Sequence, residues 1–176
     1  MVLDAMSRDV HNSCAYDFSG STPEEIVFKG DQRGFALLRP DASGIERISY
    51  KAGPLLRARI TKTVIGRRVR SVKEAGFSSV QEDPVESVTR VSQVLTAADD
   101  AGARAKPMAI VKKDSFSCRY AAWQEQGKAL SWKEQWNDGK LPAAVECRFS
   151  LYDPNAPGAD IWLGRRMYVL NGQSPS

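Results

Sequence analysis

Two segments of the chain alternate strictly between apolar and polar positions. In Phe116 to Trp123, Phe116, Cys118 and Tyr120 share one side, against Ser115, Ser117 and Arg119. In Ala144 to Leu151, Val145, Cys147, Phe149 and Leu151 alternate with Glu146, Arg148 and Ser150. A period of two marks a strand with one face buried. Two such strands pair antiparallel with their apolar faces on a core and their charged faces in water. The polar connection between them, Gln124 to Lys140, is long for a hairpin loop and reads as irregular. It carries Trp132 and Trp136, whose spacing suits one face of a helix or a clamp of the loop onto the core.

The rest of the chain adds one helix and more strands. Leu3, Met6, Val10 and Cys14 recur at helical spacing, which predicts a helix over residues 1–14, with Arg8, Asp9 and Asn12 largely off the apolar side. A helix this short is marginal alone and must dock. Met6 and Val10 are expected to pack on the domain's own sheet, whereas Val2 and Leu3 suit a partner equally well. Ile26–Lys29, Phe35–Arg39, Ile45–Lys51 and Leu55–Thr61 read as short strands joined by turns, with Gly53-Pro54 as a break. Val85–Leu95 fits helix or strand equally. Asp99–Lys106 reads as a polar loop, Met108–Val111 and Ile161–Leu170 as strands, and residues 171–176 as a flexible tail.

Composition narrows the function classes. The chain has 176 residues, 42% hydrophobic and 26% charged, ordinary values for one globular domain. The net charge is +4. Arg57–Lys73 is the densest cationic stretch, read as the solvated face of strands or as a contact for nucleic acid or anionic lipid. No aromatic residue interleaves it, which argues against a single-strand stacking platform. A single histidine, His11, excludes a multi-histidine metal site, and no Cys/His set has zinc spacing. Of the three cysteines, Cys118 and Cys147 lie on the inward sides of the two alternating strands. They read either as buried thiols or as a disulfide. No nucleophile elbow, phosphate loop, dinucleotide fingerprint or zinc-protease motif occurs. His11 and Cys14 share a helix, yet an exposed terminal histidine is the better reading. The chain is therefore expected not to be an enzyme and to need no cofactor or metal. No run of 18 or more apolar residues is present.

Several motifs, in their order, resemble the minor pseudopilins of bacterial type II secretion. They are Met6-Ser7-Arg8-Asp9-Val10; Ile26-Val27-Phe28; Ile48-Ser49-Tyr50-Lys51 with Leu55-Leu56-Arg57; and Arg119-Tyr120, Trp132, Trp136 and Leu141-Pro142-Ala143-Ala144-Val145-Glu146. Lys62–Lys106 has no counterpart. The resemblance implies an α+β, pilin-like fold, an N-terminal helix packed on antiparallel β-sheets. It also implies a structural subunit at the pseudopilus tip, its full-length form anchored in the inner membrane of a Gram-negative bacterium and this domain in the periplasm. The partners would be other minor pseudopilins, gripped through a helix face of Val2, Leu3, Met6 and Val10, and residues 1–14 would be the truncated end of the family's helix. The alternative is a minor pilin of a type IV pilus or a DNA-uptake machine, touching nucleic acid through Arg57–Lys73.

Overall fold

Alternation dominates the architecture. The computed structural model describes residues 2–15, 27–42, 44–54, 85–95, 102–124, 129–156 and 158–169. Among these residues, one helix, α1 (Val2–His11), precedes nine strands. These are β1 (Phe28–Asp31), β2 (Gly34–Asp41), β3 (Gly44–Pro54), β4 (Val85–Leu95), β5 (Arg104–Lys112), β6 (Ser117–Trp123), β7 (Leu130–Lys133), β8 (Ala144–Leu151) and β9 (Ile161–Tyr168). All nine join one antiparallel sheet in the order β1-β2-β3-β4-β5-β8-β6-β7, with β9 added on β8. The sheet curls into a half-barrel.

This overturns the expected α+β, pilin-like class. The described chain is mostly antiparallel strand, with one helix of ten residues in place of a long one. The helix ends at His11, short of Cys14: the Ser13 amide and hydroxyl both donate to the Val10 carbonyl, and the Cys14 amide donates to the Leu38 carbonyl of β2. The chain thus leaves the helix by joining the sheet edge to edge. Val85–Leu95 resolves as strand β4. The span read as a loop contributes the start of β5, and the Gln124–Lys140 connection contributes β7. The turn expected at 17–21, the strand at 55–61, the cationic stretch 57–73 and the tail 171–176 lie outside the described residues.

The register places the core. Phe35 and Leu37 of β2 stand opposite Tyr50 and Ile48 of β3, and Ala52 of β3 stands opposite Val88 of β4. Directly opposed residues share a face, so these side chains line one concave surface. Cys118 and Tyr120 of β6 and Val145, Cys147 and Phe149 of β8 extend it. The far ends of the curl are stitched together. Gly30 of β1 and Trp136 exchange two backbone hydrogen bonds, 2.9 and 3.0 Å. The Tyr120 hydroxyl sits between the carbonyls of Asp31 and Gly34, at 2.8 and 2.7 Å, and shares its one proton between them. A Cβ on Gly30 would strike the Tyr120 ring, so glycine is what lets β1 approach this closely.

Candidate functional site

Helix α1 lies in the concavity, and one acidic side chain ties it there. Val2, Leu3, Met6, Asp9 and Val10 fall on one side of the helix at spacings of three and four, and all are buried. Asp9 Oδ1 accepts from Arg39 Nη1 at 2.6 Å. Asp9 Oδ2 accepts from the Tyr50 hydroxyl at 2.7 Å and from Arg90 Nε at 2.8 Å. Arg39 Nη2 also donates to Glu46 Oε2. The sheet register makes this possible. Arg39 stands opposite Glu46, and Tyr50 opposite Arg90, so all four project from neighbouring concave positions of β2, β3 and β4. Two guanidinium groups meet two carboxylates, so the buried cluster is charge-balanced. That balance is what makes such burial tolerable. Burial, followed by the Asp9 carboxylate, pushes the Tyr50 phenol well above its ordinary value and keeps it a donor.

Val2, Leu3, Met6 and Val10, which the resemblance gives to a partner, are core residues of this chain, as the spacing predicts for Met6 and Val10. Val2, Leu3, Met6 and Val10 are 7, 5, 0 and 0% exposed. The helix is short and the sheet curls around it, so its apolar side is spent on the chain's own concave face. Its open side carries Asp4, Arg8 and His11, and Asp4 Oδ1 accepts from Arg165 Nη1 of β9 at 2.8 Å. Sequence reasoning set Asp9 apart from the apolar side, yet Asp9 shares it. The available signals were its spacing of three from Met6 and the arginine at 39 that follows Phe35 and Leu37 in strand alternation.

The convex side of β6, β7, β8 and β9 offers a second constellation. Arg166 of β9, Glu146 of β8 and Arg119 of β6 lie in one row across the sheet. Glu146 Oε1 pairs with Arg119 Nη2 at 2.6 Å, and Oε2 with Arg166 Nη2 at 3.1 Å. Both guanidinium carbons lie against the Trp132 ring, 4.7 and 4.8 Å from its centroid. The two tryptophans of the connection therefore part: Trp132 takes this outer position, and Trp136 is buried beside Gly30.

Large apolar side chains come to the surface close by. Among the described residues these are Ile110, Ile161, Trp162 and Tyr168, at 40, 42, 58 and 53% exposed. Three belong to β9, which pairs with β8 along one edge and with no other strand among the described residues. Val111 stands opposite Leu151, and Leu151 opposite Ile161, so Ile110 and the Ile161-Trp162 pair flank the same end of β8.

No catalytic arrangement emerges among the described residues. An open cleft of about 370 Å³ beside β1 to β3 brings Lys29, Asp31, Lys51, Gln135 and Asn137 to its rim, without histidine, cysteine or glutamate in its lining. No cluster of three metal-ligating side chains is present among those residues, and none of their helices is long and apolar enough to cross a membrane. His11 is exposed and Cys14 half-buried. Compared with family models, curated proteins and solved structures, the chain finds no match.

Proposed function

We propose that the chain is a non-catalytic structural subunit, a minor pseudopilin that assembles with other minor pseudopilins at the tip of the type II secretion pseudopilus. In this reading the full-length form is anchored in the inner membrane and this domain works in the periplasm. The observation that carries the proposal is the exposed apolar and aromatic group on β9 and the end of β5. Trp, Tyr and Arg are the side chains that dominate subunit contacts, and here Trp162, Tyr168, Arg119 and Arg166 share one side of the sheet. Further support comes from residues of the resembling motifs, which tie the framework. Asp9 of the helix motif accepts from Tyr50 of the hairpin motif, and Tyr120, Trp136 and Leu141 of the fourth motif are buried.

Because α1 is already covered by the sheet, subunit contact falls to the β9 side. The test replaces Ile161 and Trp162 together by glutamate and measures co-purification with the other minor pseudopilins of the same secretion system. The expected result is a loss of at least about tenfold in affinity with an unchanged melting temperature. Undiminished assembly of the double variant, or failure of the unaltered chain to bind any minor pseudopilin, overturns the proposal.

A further inference from the structure

Cys118 and Cys147 are direct partners in the β6–β8 register. Both side chains point into the core, and their sulfurs lie 2.6 Å apart. Opposed residues of an antiparallel pair hold their Cβ atoms about 4.5–5.5 Å apart, and a disulfide needs about 3.5–4.5 Å, so closure asks little of the backbone. The neighbours are Tyr120 and Val145, the next inward side chains on the same strands, with Phe149 beyond Cys147. Burial first, then contact with Cys147, holds the Cys118 thiol well above its ordinary value. A thiolate is the reactive form, so the Cys118 sulfur is a poor nucleophile once the core has formed.

We propose that Cys118 and Cys147 form an intrachain disulfide, made while the chain folds in an oxidising compartment, that fastens β6 to β8 beneath the convex surface. The oxidant is the disulfide of a thiol oxidoreductase. One cysteine, as thiolate, attacks that disulfide, forming a mixed disulfide and releasing the oxidant's first thiolate. The second cysteine then attacks the first, forming the Cys118–Cys147 bond and releasing the oxidant's second thiolate. The two cysteines together give up two protons and two electrons, and the oxidant ends as a dithiol. Cys14, half-buried where the chain leaves α1, stays a free thiol. The inference stands whether or not the subunit proposal holds.

The test uses the full chain secreted into the bacterial periplasm and purified without reductant. Thiols are counted with a chromogenic disulfide reagent in concentrated guanidinium, and linked peptides are mapped by mass. Three cysteines less one bonded pair leave one thiol per chain, rising to three after reduction. The map shows a peptide joining Cys118 to Cys147, lighter by two hydrogens. A second measurement compares melting temperatures. Reduction lowers that of the unaltered chain by about 5–10 °C and leaves the Cys118→Ala/Cys147→Ala variant unmoved. Three free thiols before reduction, or a linkage that includes Cys14, overturns the inference.

Discussion

The concave and convex sides of the sheet hold nearly the same inventory, put to opposite use. Inside, Arg39 and Arg90 share Asp9 with Tyr50, and Glu46 completes the charge balance. Outside, Arg119 and Arg166 share Glu146 and lie against Trp132. Each set is two arginines, acid and an aromatic ring. Asp9 has no exposure, whereas Arg119 and Arg166 are nearly half exposed. Asp9 is sealed from water and its two arginines are only about a fifth exposed, so the inner bonds are hard to replace and losing Asp9 strands its donors. In water the outer bonds exchange readily with solvent. Burial, rather than residue type, decides which set anchors the fold and which stays a solvated surface group.

The comparison breaks most visibly at Asp9. Asp9→Ala removes the acceptor shared by Arg39, Arg90 and Tyr50 and leaves Glu46 alone against the two guanidinium groups, and a loss of about 3–5 kcal/mol is expected in chemical denaturation. Next is the closure of the curl. Gly30→Ala drives a methyl group into the Tyr120 ring, and a loss of about 1–3 kcal/mol by the same measurement is expected. Both tyrosines also impose an alkaline limit. Burial is the first cause raising each phenol above its ordinary value. The unfolded chain therefore gives up these protons first. Their stabilisation is whole below pH of about 10 and declines as pH rises toward the folded values. Tyr50→Phe and Tyr120→Phe are each expected to flatten that decline in a stability-versus-pH series. The smallest effect is outside: Glu146→Ala costs at most about 1 kcal/mol, and the difference shrinks further in molar salt.

Legibility in the sequence followed burial. β8 matches its expected span, Ala144–Leu151, because one face is core and the other water, which writes strict alternation. The same alternation placed Cys118 and Cys147 on inward faces, and the register makes them direct partners. The first half of β5 was hidden for the opposite reason. Arg104 to Pro107 are exposed, so no apolar period marks them as strand. Val85, Val88, Val91 and Val94 of β4 recur every third residue, a helical spacing, while their β-branched side chains favour strand, and only the pairing with β3 decides it. Gly53-Pro54 looked like a break, yet β3 continues through both because β4 still runs alongside after β2 has ended at Lys51. The convex constellation was least legible, since Arg119, Trp132, Glu146 and Arg166 come from four strands that only the sheet order brings together. The helix face was read correctly as apolar, but its cover depends on the curl of the sheet, which no local pattern records.

Hydrogen exchange of the chain alone and mixed with the minor pseudopilins proposed as its partners tests the division between anchor and proposed contact surface most directly. The backbone amides of α1 are predicted to be equally protected in both states, and those of β9 to slow on binding. Protection gained by α1, with β9 unchanged, would contradict it.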